Sequence, residues 1–532
     1  RAKTLETVVA YCEKLLEYVN NPNREIRLAA LFAIANIGDD SAEKALKKAT
    51  IVEDPYEKAK AYSFYMLYAK RLAEQGEVKQ AVKICTNIYE KSDLITIRCE
   101  ALGSLAAIQG NQAQETLLKA IESDNDQMQE AVVQLAKNLG DETDTLKWAK
   151  KLETVSDDAK IRIITMLAER GDKAALGEIT KFIAPEQPNG KVAAAAVAAI
   201  GKLGQTEAIN IILSGLDSGE TERVKAVKET LNLLAGENVN KAVANKLTDT
   251  KLTSESKIVL IEFLAERLAK EHKDIVLAQT KDADDNVKLA AVKALSDLAS
   301  AGDLRELVKL MLDTDNAKLQ TATQKTIVAT AKRASEISSV LEAVDTAGDK
   351  SKALLLDTLA KLGGMEAINK VLAQTTSTVD TVKDAALRAL SNWPDEYAIS
   401  PLLDIAARTE DSTYHVITLR GCLRIISTVP LPSEKKIELY KKAMAIAKRD
   451  DEKKMIIAGL SNIRNEDALF MAGEYIDNDQ LSSEAALAIA NIACPENEND
   501  KGLQCPKAAE LLKKAKNFIT DDKLKEKVQK QI

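Results

Sequence analysis

Histidine is almost missing from this 532-residue sequence, which contains only two. Most metal sites and acid–base pairs that are built from several imidazoles are therefore excluded. Glycine and proline are also scarce, with 21 and 10 residues where average usage would give roughly 37 and 27. Turn-rich β architectures need both residues, so this scarcity argues against a mostly β protein. Aromatic residues make up 4% of the chain and hydrophobic residues 45%. The core must then consist of Ala, Leu, Ile and Val, which is typical of long stretches of helix.

Long apolar runs and an excess of one charge are also lacking. The longest clean apolar run, Val192–Gly201, is far below the ~18 residues that a membrane-spanning helix needs. Basic residues number 74 and acidic residues 81, for a net charge of −7. Such a surface is unsuited to general binding of nucleic acid or of anionic membranes. We therefore expect no membrane span and no nucleic-acid partner. The chain begins at Arg1 without a Met or a leader, so we also expect a processed protein or a fragment.

Catalytic motifs are missing as well. Gly190-Lys191 and Gly201-Lys202 are followed by Val and Leu, whereas a phosphate-binding loop requires Ser or Thr at that point. No Gly-x-Ser-x-Gly nucleophile elbow occurs. We expect a protein that is not an enzyme, with no catalytic residues, no cofactor and no metal site.

What the sequence does contain is a repeat. Near Ile26, Val287 and Val382 the same pattern recurs: an apolar anchor, small residues three and four positions later, and apolar residues near positions seven, eight and eleven. This spacing is the buried stripe of one amphipathic helix.

The stripe can be anchored fifteen times, with a mean step of about 33 residues. The anchors are Ile26, Ala59, Ile97, Met128, Ile161, Val192, Val224, Ile258, Val287, Ala317, Ala353, Val382, Val416, Ile456 and Ala485. Between the stripes lie shorter apolar segments: Ser41–Ala49, Glu115–Ile121, Glu207–Leu216, Leu304–Leu312 and Glu366–Leu372. Each repeat is therefore predicted to be a helix pair. A single pair cannot bury its apolar face, but stacked pairs share one core. The sequence predicts an all-α fold, an α-solenoid of about 14–15 stacked helical pairs.

Glycine–aspartate joints follow several stripes, at Gly38-Asp39, Gly140-Asp141, Gly171-Asp172 and Gly302-Asp303. Glycine ends a helix readily in the left-handed conformation, and Asp caps the next helix. We expect both roles at these joints.

The stripe with its Asp, Val-Arg, Ala-Ala, Ala-Leu and Leu-Gly-Asp elements resembles the HEAT-repeat family, in particular the short-period form of bacterial PBS-lyase-type repeats. The resemblance runs from about Thr4 to about Ile519. It implies basic ladders along the array, in which residues after the anchors pair with neighbouring acids: Arg27, Arg98 and Arg162, with Lys225, Lys288 and Lys383 in the equivalent place. The His-Glu metal pairs of the family's iron-dependent hydroxylases are missing, because Glu271 precedes His272 and Val416 follows His415.

The step from Val416 to Ile456 is unusually long, at 40 residues, and it contains Val429–Pro432. We expect a bend or a boundary there. The predicted domains are residues 1–428, with the N-terminal and central repeats, and residues 429–532, with further repeats and a helical cap after Pro506.

The repeat and the missing catalytic groups favour a non-catalytic scaffold, in which second helices line a long concave surface that holds a protein partner. The candidate contacts are Tyr62 and Tyr65, in the aromatic segment Tyr56–Leu72, and Tyr414 with His415. The aromatic segment is also compatible with a wider core. As an alternative function, the chain is an accessory segment of a larger exported bacterial enzyme, and the resemblance allows an enzyme that processes carbohydrate. The oligomeric state stays open.

Cys494 and Cys505 flank a polar loop between two helical segments, and we expect them to close it with a disulfide bond. Disulfides persist in oxidising compartments. The expected location is therefore the periplasm or the exterior of the cell, with the cytoplasm as the alternative. Two thiols without His are too few ligands for zinc.

The disulfide leads to a direct test. Non-reducing peptide mapping of protein from its native source should recover the peptides of Cys494 and Cys505 joined, because an oxidising compartment keeps such a bond intact. Free thiols at both positions would contradict the pairing and favour the cytoplasm.

Overall fold

The computed structural model describes residues 10–497 and 500–532. The start of the predicted repeat region at Thr4, and residues 498–499 of the loop between Cys494 and Cys505, lie outside these ranges. In the described ranges the secondary structure is helical throughout, which confirms the all-α prediction. The chain divides into two compact units, Arg1–Ile275 and Val276–Ile532.

The α-helices are, in chain order, α1 Arg24–Ile37, α2 Glu43–Ala49, α3 Pro55–Glu74, α4 Val78–Lys91, α5 Ile95–Gln109, α6 Gln114–Ala120, α7 Asp126–Ala136, α8 Glu142–Lys151, α9 Asp157–Arg170, α10 Leu176–Thr180, α11 Gly190–Gly204, α12 Ile209–Ser214, α13 Thr221–Leu233, α14 Glu237–Leu247, α15 Ser254–Glu266, α16 Lys273–Ala278, α17 Asp285–Leu298, α18 Leu304–Asp313, α19 Ala317–Ala334, α20 Ser338–Thr346, α21 Asp349–Leu362, α22 Met365–Gln374, α23 Asp380–Ser391, α24 Ile399–Arg408, α25 Ser412–Thr428, α26 Ser433–Ile446, α27 Asp450–Leu460, α28 Glu466–Gly473, α29 Ser482–Ala493, α30 Pro506–Ala515 and α31 Asp522–Gln531. Residues 10–16 are also helical.

Every predicted anchor falls on an odd-numbered helix from α1 to α29. The five shorter apolar segments coincide with α2, α6, α12, α18 and α22. In the two units, successive odd-numbered helices pack against one another and form a layer of first helices. The even-numbered helices pack beside them as second helices. Each unit is therefore an α-solenoid of stacked helical pairs, as the sequence predicts.

The joints between helices follow the predicted chemistry at three of four positions. Gly38 and Gly171 end α1 and α9 in the left-handed conformation, with φ of 72° and 73°. The carboxylate of Asp141 accepts hydrogen bonds from two backbone amides of α8. The prediction is wrong at Gly302-Asp303, which lies inside a 3₁₀ turn where Asp303 accepts from the Ser300 amide at 2.7 Å.

Arginines join successive first helices in a way that recurs four times. Arg333 of α19 donates to the carbonyls of Ser296 and Ala299, both at 2.6 Å, at the end of α17. Arg424 of α25 does the same at the end of α23, to Ser391 and Trp393. Arg170 binds the carbonyls that end α7, and Arg267 those that end α13. The last carbonyls of a helix have no partner inside it, so these arginines satisfy them from the next repeat.

The basic ladder predicted at the positions after the anchors is present in part. Arg27 bridges α1 to Glu57 of α3 at 2.6 Å. Arg162 of α9 reaches Asp126 and Glu130 of α7 at 2.8 and 3.0 Å. Arg98 of α5 instead donates to the backbone carbonyl of Tyr89 on α4, at 3.0 Å, and does not pair with an acid.

The lysines at the equivalent places do not extend the ladder. Lys225 and Lys288 pair with Glu229 and Asp285 on their own helices. Lys383 lies 5.4 Å from the ring centroid of Tyr414, which belongs to the next first helix. In these repeats the position after the anchor does not form an acid–base bridge between helices.

The long step after Val416 has a simple structural cause. Helix α25 ends at Thr428 and α26 begins at Ser433, so Val429–Pro432 is the turn inside one helical pair. The additional residues lengthen the second helix α26 to 14 residues. The division of the chain at residues 428 and 429 stays a prediction.

Arg223 of α13 binds the irregular segment that precedes α11 in the first unit. Its side chain is 1% exposed and donates to the carbonyls of Ile183, Ala184 and Gln187 in the segment before α11, and to Glu220. Backbone acceptors that lose a buried partner are costly to leave unpaired.

We predict that Arg223→Met lowers the free energy of unfolding of the first unit by about 2–4 kcal/mol, because buried carbonyls and Glu220 lose their donor. Urea unfolding followed by Trp148 fluorescence measures the shift, in a Trp393→Phe background that leaves one tryptophan. Arg24→Met is the matched control, since that side chain is half exposed and its ion pair with Glu25 is 3.7 Å long. Equal shifts in the two variants would contradict the role of Arg223.

Candidate binding surface

Three surface grooves lie between neighbouring first helices. The N-terminal groove, between α3 and α5, has a volume of about 730 Å³. The middle groove crosses α9, α11 and α13 and measures about 530 Å³. The lysine groove, between α17 and α19, measures about 720 Å³. The sequence predicts the layer of second helices as the binding face, whereas these three grooves open on the layer of first helices.

The three grooves share a mixture of small, apolar and charged side chains. The N-terminal groove is lined by Ser63, Met66, Leu67, Lys70, Ala73, Glu74, Val78, Glu100, Gly103, Ser104, Ala107 and Ile108. The middle groove is lined by Ile161, Lys191, Ala194, Ala198, Glu222, Lys225, Ala226, Glu229, Thr230 and Leu233. The lysine groove is lined by Leu289, Lys293, Ser296, Asp297, Ala317, Lys318, Thr321, Ala322, Lys325 and Thr326.

Small residues on the outer side of the first helices create this space. Gly103 and Ala107 of α5 face longer side chains of α3 across the N-terminal groove. A Cβ added at Gly103 would meet only Leu135, at 4.0 Å, so the position tolerates a side chain. The gap therefore exists because the sequence places glycine and alanine there, and it is open to solvent.

Exposed aromatic rings lie between α1 and α3, on the helix pair next to the N-terminal groove. Phe32 of α1 is 47% exposed, and its ring centroid lies 5.6 Å from that of Phe64 on α3. Tyr56 is 54% exposed between the cationic groups of Arg24 and Lys60, which lie 5.5 and 5.7 Å from its ring centroid. Exposed aromatic residues are typical of protein-binding surfaces.

The polar rim of the N-terminal groove carries both signs of charge. Glu74 pairs with Arg71 at 2.7 Å, and this hydrogen bond lowers the pKa of Glu74. Glu100 accepts a weak hydrogen bond from Ser63 at 3.5 Å. Lys70 is exposed at the edge. No single charge dominates, so apolar contacts define what this groove can hold.

The aromatic segment divides between core and surface. Tyr65 is 3% exposed and donates to Glu43 at 3.3 Å, and burial, followed by the Glu43 charge, raises the pKa of its hydroxyl. Tyr62 is partly buried and packs against the hydrophobic cluster that contains Tyr65. Tyr65 is therefore not available to a partner, while contact through Tyr62 stays a prediction.

The second predicted pair divides in the same way. His415 is 1% exposed, with Nδ1 2.8 Å from the Ala406 carbonyl and Nε2 3.3 Å from Glu452. It lies in the core between α24, α25 and α27 and not on a partner surface. Tyr414 is partly exposed, and burial, followed by the Asp384 and Asp411 charges, raises the pKa of its hydroxyl.

Cys494 and Cys505 end α29 and precede α30, and both are free thiols in the structure. The loop between them is held by Asp500, which accepts from the amides of Glu496 and Gly502 and from Arg464 at 2.6 Å. These hydrogen bonds lower the pKa of Asp500 to about 2. The loop is thus organised by polar contacts, and the disulfide stays a prediction.

Metal centres and membrane spans are both missing from the described ranges. In residues 10–497 and 500–532, no three His, Cys, Asp or Glu side chains are arranged to hold a metal ion. Over the same ranges, no helix has the length and the apolar character needed to cross a bilayer.

Comparison with known families identifies the repeat. The family model for HEAT repeats matches residues 145–232, which run from α8 to α13. The HEAT-repeat resemblance of the sequence is thereby confirmed over these residues, while its bacterial short-period type stays a prediction. Comparison with curated proteins finds no match.

Among solved structures, Kap121p aligns with a TM-score of 0.41 and 14% identity, covering 92% of this chain and 57% of the Kap121p chain. Importin beta aligns with a TM-score of 0.37 and 11% identity, covering 91% of this chain and 76% of the other. An engineered protein aligns with a TM-score of 0.21 and 18% identity, covering 90% and 98%. The chain therefore spans little more than half the length of Kap121p.

The buried position of His415 predicts a structural role. Replacing it by Ala leaves the buried carboxylate of Glu452, which is 0% exposed, with the amides of Lys448 and Arg449 as its remaining hydrogen-bond donors. We expect a local loss of about 2 kcal/mol, which makes amide hydrogen exchange in α27 roughly 30-fold faster.

Hydrogen exchange with mass spectrometry measures this effect, and Tyr414→Ala is the control because its side chain is partly exposed. In this control, the amide exchange rate in α27 should stay within about twofold of the wild-type rate. Unchanged exchange in α27 of His415→Ala would show that the pair does not hold α25 on α27.

Proposed function

We propose that this chain, whose residues 145–232 are HEAT repeats, is a scaffold that binds a protein partner through its layer of first helices. The observation that carries the proposal is the N-terminal groove, which has a volume of about 730 Å³ and is lined by small, apolar and charged side chains. Its size and mixed lining suit a segment of polypeptide. The partner is expected to present an amphipathic helix, since apolar side chains spaced along one helical face fit such a groove.

The rigidity of the groove supports this proposal. Its walls are first helices that pack on each other, and Lys58 of α3 pairs with Asp93 beside α5 at 3.0 Å. A preformed surface binds with less loss of conformational freedom than a loop that must become ordered. The core under α3 contains Tyr68 and Leu72, which are 0% and 1% exposed.

The test begins with a photo-crosslinking amino acid at Ala107, which is exposed on the groove wall, in the full chain in its native cells. The matched control carries the same group at Ala373, an exposed position on second helix α22. One protein should cross-link at residue 107 and not at residue 373. The cross-linked segment should have apolar side chains at positions i, i+3 or i+4, and i+7.

A synthetic peptide of that segment then allows affinity measurements. Ala107→Trp fills the groove, so it should weaken binding at least tenfold, as loss of contacts at the centre of an interface does. Ala373→Trp should have no effect. If residues 107 and 373 capture the same proteins or none, or if Ala107→Trp binds the peptide normally, the proposal is wrong.

The alternative is that the chain is an accessory segment of a larger exported enzyme in the periplasm or outside the cell. The mass of the mature protein from its native source tests this. A product no longer than these 532 residues would contradict it.

A further inference from the structure

The lysine groove differs from the other two grooves in its charge. Three of its lining residues are lysines, Lys293 on α17 with Lys318 and Lys325 on α19, and its one acidic residue is Asp297. The middle groove balances two lysines with two glutamates, and the N-terminal groove has two glutamates and one lysine. Of the three, only the lysine groove has an excess of positive charge, in a chain whose net charge is −7.

The three lysines are also unpaired. All three are exposed, and none has a carboxylate within 4 Å in the described part of the chain. Some lysines elsewhere on the first-helix layer are neutralised by the next repeat, as in Lys137–Glu169 at 2.7 Å and Lys228–Glu262 at 2.8 Å. The three lysines of this groove lack such partners, so their positive charge is not neutralised locally.

The floor of the groove is not charged. Leu289 is partly buried, and Thr326 is 2% exposed, with its hydroxyl donating to the Val292 carbonyl at 2.8 Å. On the α19 side the groove is lined by the short side chains of Thr321 and Ala322. Positive groups thus surround a short apolar trough, which is held by the hydrogen bonds from Arg333 to the end of α17.

We propose that the lysine groove binds an acidic, amphipathic helical segment of a protein partner. Lys318 and Lys325 are seven residues apart on one helix, about 10 Å along its axis. Carboxylates seven residues apart on a bound helix match this spacing, and apolar side chains between them enter the trough. The inference extends the proposed function to the second unit and rests on it only in treating the first-helix layer as the binding face.

A peptide fits these features better than a nucleic acid does. The groove has no arginine and no aromatic ring on which a base could stack. Asp297 at its edge would repel a phosphate backbone, and the net negative charge of the chain opposes long polyanions. Apolar trough residues instead require a ligand with apolar side chains.

The experiment uses the full chain and a displayed library of peptides of about 16 residues, long enough to span several helical turns. The library is first depleted of peptides that bind the triple variant Lys293→Glu/Lys318→Glu/Lys325→Glu. The remaining peptides are then selected for binding to the wild-type chain. These lysines have no ion pairs, so the triple variant should fold normally. Selected peptides should carry Asp or Glu seven residues apart with apolar residues between.

The strongest peptide is then measured by fluorescence anisotropy, beside single-stranded DNA of about 20 nucleotides. The triple variant should bind the peptide at least tenfold more weakly. The matched control, Lys309→Glu/Lys441→Glu/Lys513→Glu, makes the same charge change at exposed lysines of α18, α26 and α30 and should stay within about threefold of wild type. The Ala107→Trp variant should bind this peptide normally, which separates this site from the N-terminal groove.

Three results would overturn the inference: a selection without acidic enrichment, equal weakening by both triple variants, or DNA binding as tight as that of the peptide. If peptide binding is lost only in the lysine-groove variant while the Ala107 experiments fail, this inference stands and the N-terminal site does not.

Discussion

Each layer of first helices depends on satisfying helix ends from the neighbouring repeat. A helix leaves its last carbonyls without internal partners, and in a stack of short helices these ends are numerous. In this protein the guanidinium groups of Arg170, Arg267, Arg333 and Arg424 fill that need, two in each unit. One side chain then caps a helix and fixes the position of the next helix, so the same contact gives stability and sets the repeat geometry.

The grooves follow from this arrangement together with the size of the outward-facing residues. Alanines toward the core let first helices approach closely, and the arginines fix their ends. Where the outward face also carries small residues, as at Gly103, Ala198 and Ala322, the approach leaves a trough instead of a ridge. The binding surface is thus a product of the packing pattern and needs no specialised loop.

Much of the fold could be predicted from the sequence because the repeat is a pattern of burial. All fifteen anchors lie on first helices, although Ile26 is 43% exposed and Ala317 is also exposed. Side chains with two roles were harder to assign. Tyr65 and His415 are amphipathic residues that can face solvent or form a buried hydrogen bond, and sequence does not separate these cases. The arginine caps were missed, although an Arg eight or nine residues after the anchor recurs at Arg170, Arg267 and Arg424.

Charge patterning distinguishes surfaces that the helix pattern makes alike. At some positions along the first helices a basic residue pairs with an acid of the adjacent repeat, as Arg27 pairs with Glu57, and such surface pairs add little stability. Their main effect is to leave the surface locally neutral. A gap in the pairing, as around Lys325, costs little folding energy and leaves positive potential beside an apolar trough. Because the fold tolerates such gaps, charge on this layer can change from groove to groove while the solenoid stays the same.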